Sequence, residues 1–245
     1  MHLITDGIIV REKNSGENDK FITALTRKYG LISAFCRGSR RIKNKNASAT
    51  GLFCYGDLAF YKGKDTYTLD EAGAKEVFFN LRCDIVKLSL AQYFCEVILN
   101  LAPEGFEADE YLRLMLNSLH YIIKEDRNIN LIKAVFELRM LTLSGYMPDL
   151  TACHVCGEDE ADIMNFNLTD GTLSCPNCNA QSLGSLQMNR TIIATMRYIA
   201  YSDFEQLFRF SLPEAAITDL SRVTESFLLE QTERGYKTLD FYHSL

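Results

Sequence analysis

Leu31-Ile32-Ser33-Ala34-Phe35-Cys36-Arg37-Gly38-Ser39-Arg40-Arg41-Ile42-Lys43-Asn44-Lys45 changes character after its sixth residue. The apolar opening is long enough for one strand. The nine residues that follow hold five cations and a glycine, so the chain leaves the sheet at Arg37. Two strand-like runs precede it. One opens at Ile8-Ile9-Val10 and breaks in the polar stretch Lys13 to Asp19; the other runs from Phe21 to Thr26 and turns at Tyr29-Gly30. Two more follow, Leu52 to Tyr61 and Thr66 to Leu69. Five short strands with the longest link after the third predict a small closed barrel of the OB type. An SH3-like barrel would give a similar pattern, and periodicity does not choose between them.

From Leu81 the period changes. Leu81, Ile85, Leu88, Ala91, Cys95 and Ile98 step by three or four and predict a helix that ends before Pro103-Glu104-Gly105. Tyr111 to Ile122, Leu131 to Leu141, Thr191 to Tyr201 and Pro213 to Gln231 predict four more, with Pro213 suited to a first helical turn. The fold class is therefore α+β multidomain. The expected division is residues 1–80 as an OB-type domain and residues 81–245 as an α-helical domain whose helices pack as one bundle around an insert at about 150–180. At 47% apolar and 24% charged, the chain is excluded from wholesale disorder and from collagen-like or mucin-like classes. No run of about 18 apolar residues encodes a membrane span. The opening MHLITDGIIVREK does not read as a signal peptide, so a soluble, cytoplasmic protein is expected.

The formal charge of -6 argues at first against a nucleic-acid partner. Residues 1–80, however, hold 13 basic and 9 acidic residues, and 81–245 hold 13 and 23. Between Lys20 and Gly56 there are eight cations, including Arg27 and Lys28, and no carboxylate. A one-signed stretch on an otherwise acidic protein is an electrostatic footprint for a polyanion. Arginines grip phosphates bidentately and lysines add mobile charge. Gly38 leaves room for a backbone to approach. The candidate DNA-binding residues are Arg27, Lys28, Arg37, Arg40, Arg41, Lys43 and Lys45, with Tyr29, Phe35 and Tyr55 near enough in sequence to stack on bases. The alternatives are a solvated loop for the cations and barrel core for each ring.

Cys153, Cys156, Cys175 and Cys178 form two C-x2-C pairs separated by 18 residues, the spacing of a tetrahedral four-cysteine zinc site. Phe166 to Leu173 places apolar residues around Asp170-Gly171 and predicts the hairpin of a zinc ribbon. Four thiolates close the coordination shell, so one structural Zn2+ per chain is expected, with His154 outside it. No Lys or Arg lies between Arg139 and Arg190, so this module would repel phosphate. Cys36, Cys54, Cys83 and Cys95 read as small buried hydrophobes. Phosphate-loop, dinucleotide, nucleophile-elbow and zinc-protease motifs are all absent, and the four histidines are scattered. No enzyme active site is expected.

Gly30 to Cys36 followed by Arg37-Gly38-Ser39-Arg40-Arg41 resembles the glycine–strand–RGxRR element of the RecO recombination-mediator family of bacterial DNA repair. Phe136-Glu137-Leu138-Arg139-Met140-Leu141, then Gly145-Tyr146-Met147-Pro148 and Cys153-x2-Cys156-Gly157, is more similar still. Cys36 departs from the alanine that many members carry, and some members lack the cysteines. The resemblance spans nearly the whole chain. It implies a cytoplasmic, nucleoid-associated protein that binds single- and double-stranded DNA and anneals complementary strands without ATP. It further implies RecR and single-stranded-DNA-binding protein as partners in loading RecA, which is engaged indirectly. For the acidic and apolar tail of the second partner, Arg113, Lys133 and Arg139 lie on apolar helices able to offer a cation. The alternative reading is a zinc-ribbon RNA- or transcription-associated binding protein, which would call for a basic ribbon.

Overall fold

The computed structural model describes residues 1–41, 44, 46–64, 66–159, 161–178 and 184–245. It is a mixed α+β protein of two compact units, 1–123 with 236–245, and 124–235.

The first unit opens with β1 (His2–Ser15), β2 (Asp19–Thr26), β3 (Gly30–Cys36), β4 (Cys54–Lys62) and β5 (Tyr67–Val77). They pair in the order β1-β2-β3-β5-β4, and β4 returns to β1, so the sheet closes on itself as a barrel. All pairings are antiparallel except the short one between β3 and β5, where Ala34 faces Tyr67 and Phe35 faces Thr68. Alternation drives this closure. Leu3, Ile9, Ile22, Ala24, Ile32, Ala34, Leu58, Phe60 and Leu69 point inward and fill the interior. β1 runs further than its apolar residues suggest, because Lys13, Asn14 and Ser15 pair with Phe21, Lys20 and Asp19 on a hairpin whose outer face is wet.

Three helices complete this unit: α1 (Ile85–Leu101), α2 (Asp109–Lys124, whose last residue falls past the unit boundary) and, after the second unit, α6 (Lys237–His243). Asp84 caps α1 by accepting from the Val86 and Lys87 amides at 2.8 and 3.1 Å. Gly30 is fixed by its surroundings. Its φ is +62°, and a Cβ there would sit 1.9 Å from the Pro103 carbonyl oxygen. That contact lets the Leu31 amide donate to Pro103 at 2.8 Å, which joins the β2–β3 turn to the end of α1.

The second unit holds α3 (Ile129–Leu143), β6 (Asp149–Cys153), β7 (Ile163–Asn167), β8 (Thr172–Ser174), β9 (Ser185–Asn189), α4 (Arg190–Tyr201) and α5 (Glu214–Thr232). α3, before the ribbon strands, packs against α5 and α4, after them, while α1, α2 and α6 belong to the first unit. Pro213 is the residue just before α5, one position earlier than expected. The β7–β8 hairpin is present: Phe166 faces Leu173, and Asn167 side-chain oxygen accepts from the Thr169 and Asp170 amides to shape its turn. β6 and β9 extend it to a four-stranded sheet in the order β6-β8-β7-β9. Phe166 packs edge-on against Phe227 of α5, so the ribbon is fastened to a helix by an aromatic pair.

Candidate nucleic-acid interface and metal centre

The link after β3 is folded. The Gly38 amide donates to the Asp19 carboxylate at 2.6 Å, the Arg40 amide to the Asn18 carbonyl at 3.0 Å, and the Asn44 side chain to the Gly38 carbonyl at 2.9 Å. Gly38 has φ +63°, so its glycine serves the turn itself. Arg37, Arg40 and Arg41 are exposed around it. Arg40 spends one N–H on the Gly16 carbonyl. Arg37 and Arg41 line a groove of about 910 Å³ with Asn44, opposite Glu17 and Asp19. Among the described residues, none of these three arginines is in an ion pair, which leaves guanidinium donors, in Arg40 those not spent on Gly16, to meet phosphate oxygens.

The other predicted cations part company. Lys28 is exposed beside the β2–β3 turn. Arg27 is engaged: its guanidinium grips Asp6 with donors at 2.8–3.0 Å and also pairs with Asp109 at the start of α2. Burial tends to raise the Asp6 carboxyl, but hydrogen bonds from Arg27 and Tyr55 outweigh it and hold the group at about 2. Lys20, counted in the basic stretch, points inward and donates to the Thr50 carbonyl at 2.6 Å and to Glu12. Lys43 and Lys45 lie outside the described residues. Of the three rings, Tyr29 packs on the barrel core and Tyr55 donates to Asp6 at 2.6 Å, whereas Phe35 lies against Phe21 on the outside, with centroids 5.2 Å apart.

Two cations suggested for a partner's acidic tail are also committed. Lys133 is 1% exposed and paired with Glu137 and Glu225 at 2.8 and 2.6 Å. Arg139 donates to the Ala200 carbonyl at 2.7 Å and lies over the Phe204 ring. Helical periodicity cannot tell a cation on the solvent face from one tying two helices together, because both recur at the same spacing. Cys36, Cys54 and Cys95 are buried as expected, and burial pushes the Cys36 thiol up to about 12. Cys83 is exposed, contrary to expectation.

Cys153, Cys156, Cys175 and Cys178 converge, with all four Sγ atoms within 4.8 Å of one another. A tetrahedron with metal–sulfur bonds of about 2.3 Å has edges of about 3.8 Å; Cys156 and Cys175 stand 3.7 Å apart. The Gly157 amide donates to the Cys153 carbonyl at 2.9 Å and the Cys178 amide to the Cys175 carbonyl at 3.1 Å, so each pair is a tight knuckle. The His154 ring faces the Leu173 carbonyl through Nδ1 at 2.9 Å and is not in the cluster. The donor set and its spacing are compatible with zinc. No helix among the described residues is long and apolar enough to cross a membrane.

Residues 1–78 match the family model described as Recombination protein O N terminal, and residues 82–240 match Recombination protein O C terminal. The chain is 33% identical over 244 residues to a protein named DNA repair protein RecO from Acetivibrio thermocellus, covering 100% of this chain and 97% of that one. Proteins of the same name from Symbiobacterium thermophilum and Alkaliphilus metalliredigens are 31% and 29% identical, each aligned over 95% or more of both chains.

Proposed function

This chain belongs to the RecO family of DNA repair proteins, and from that membership we propose that it is a recombination mediator. It binds single- and double-stranded DNA through its N-terminal barrel, anneals complementary strands without ATP, and works with RecR and single-stranded-DNA-binding protein to help load RecA. The observation that carries the reading is the folded loop that holds Arg37, Arg40 and Arg41 exposed and, among the described residues, outside ion pairs. Such a surface neutralises two strands that otherwise repel and needs no covalent step. Lys28 adds to it, Lys43 and Lys45, which lie outside the described residues, follow in the sequence, and Arg27, already paired, adds least. The strand order of the barrel and its single parallel contact support an OB assignment, with residues 1–80 as the DNA-binding part and 81–245 as the part that meets protein partners. Cys153, Cys156, Cys175 and Cys178 would hold one Zn2+ that cross-links the two knuckles and takes no part in chemistry.

Phosphate contacts position a strand without reading its bases. Replacing Arg37, Arg40 and Arg41 with alanine should therefore weaken binding to all sequences and slow annealing in proportion. If about five cations from the loop each neutralise one phosphate, the log–log salt slope on single strands is roughly -3.5 and the triple variant flattens it by about 2. Annealing of DNA and of RNA, measured side by side without ATP, separates this reading from that of an RNA-binding protein. An unchanged salt slope in a folded triple variant overturns it.

A further inference from the structure

We propose that Phe21, Phe35, Tyr61 and His2 form a track on the outer wall of the barrel along which the bases of a single DNA strand stack. The inference rests on the DNA-binding reading above and adds to it a means of telling unpaired bases from duplex. The pairing register builds the track. Lys13 faces Phe21 across β1 and β2, Phe21 faces Phe35 across β2 and β3, and Phe35 faces Thr68 across β3 and β5. Thr68 then faces Tyr61 on β4, which faces His2 on β1. Directly paired residues project from the same side of a sheet, so these six make one continuous row that winds once round the closed barrel, from β1 back to β1. Their neighbours along each strand, Ile22, Ala34, Leu69, Phe60 and Leu3, are buried in the core, and the row therefore points outward.

Its rings are placed for stacking. Phe21 is 43% and Tyr61 49% exposed, and the pairs Phe21–Phe35 and His2–Tyr61 have centroids 5.2 and 5.3 Å apart. Two exposed aromatic pairs on one row leave a large apolar area facing water. The charge around them selects the occupant. The row holds no carboxylate and ends in Lys13, and Arg37 leaves β3 two residues beyond Phe35. Asp19, two residues from Phe21, accepts the Gly38 amide, and Asp70 stands two residues beyond Thr68. The Phe21–Phe35 end of the row, with Lys13 and Arg37 beside it, matches a polymer of flat bases on a phosphate backbone, and every base offers a π-face. A duplex hides those faces between base pairs, so the track engages single strands alone.

The chain contains no tryptophan, so Phe21→Trp in the full-length protein introduces its one indole. Oligodeoxythymidylate should quench that emission, while an abasic oligonucleotide of equal length, held by charge alone, should leave it unchanged. In parallel, Phe21→Ala and Tyr61→Ala should each weaken binding of oligodeoxythymidylate about five- to a hundredfold, leave duplex binding unaltered, and be rescued at position 21 by Phe21→Tyr. Equal quenching by the abasic strand, equal loss on duplex, or no loss in variants that melt like the wild type overturns the track. If ring variants are neutral while the triple arginine variant is weak, stacking alone fails. If the arginine variant is neutral too, the DNA-binding reading fails with it.

Discussion

Asp6 shows how a residue's company decides its use. The carboxylate receives Arg27 in bidentate fashion and the Tyr55 hydroxyl, and Arg27 reaches on to Asp109, so a predicted DNA ligand joins β1, β2 and α2. A carboxyl held at about 2 against an ordinary 3.8 contributes stability that is whole above about pH 4 and fades as pH falls through about 2. Asp6→Asn should thus cost roughly 1–2 kcal/mol at neutral pH, discounted for partial solvent screening, and the gap to wild type should close in acid. Urea titrations at neutral pH and near pH 2 measure both; a gap that persists in acid would mean that packing, not charge, is what the substitution removes. The pairing was invisible in the sequence, since 21 residues separate the partners. The same holds for Lys20 and Lys133, whose composition-level reading as surface charge gives way to buried contacts with Thr50 and Glu137. The three loop arginines kept their exposure because a glycine turn and an asparagine, rather than the arginines, satisfy the loop's backbone.

At the scale of elements, local pattern carried well where a strand or helix has one buried face. β2, β3, α3 and α4 lie within a residue or two of their expected bounds, because alternation and three-to-four spacing are direct consequences of burial. β6, β9 and α6 were not legible: each is short, and each owes its form to a neighbour rather than to its own periodicity. The cysteine knuckles were the most legible feature, since metal geometry dictates their spacing. Cys175→Ser should lose zinc and loosen the β6–β9 sheet, because metal binding supplies folding free energy to a site absent from the unfolded chain. Elemental analysis and hydrogen exchange over 149–189 test this together, and retained protection in a metal-free variant would show that the Phe166–Phe227 contact suffices. Gly30 is a second point of control. Gly30→Ala places a Cβ against the Pro103 carbonyl in a left-handed backbone and should destabilise by on the order of 3 kcal/mol, whereas Gly105→Ala, with φ +77° but open space, should cost less. Thermal melts of the two variants separate crowding from backbone strain.

For the whole molecule, charge is unevenly divided: residues 1–80 hold 13 basic and 9 acidic residues, residues 81–245 hold 13 and 23, and the stretch between Arg139 and Arg190 carries no cation. Chelating the metal should therefore unsettle the second unit yet leave the salt slope for DNA unchanged; a slope that flattens with zinc loss would place phosphate contacts on the ribbon. The division into two units has a further consequence, for synthesis. The first unit is made from two stretches of chain, and its closing piece comes only at 236–245. Tyr236 packs edge-on against Tyr93 and accepts from Asn100, and Thr238 donates to Glu96 at 2.5 Å, so α1 waits for partners translated more than a hundred residues later. Domains usually fold in the order in which they leave the ribosome. Here the unit begun second can finish first, and a nascent chain halted anywhere between 124 and 235 already carries every strand of the barrel while the helices behind it stay unsealed.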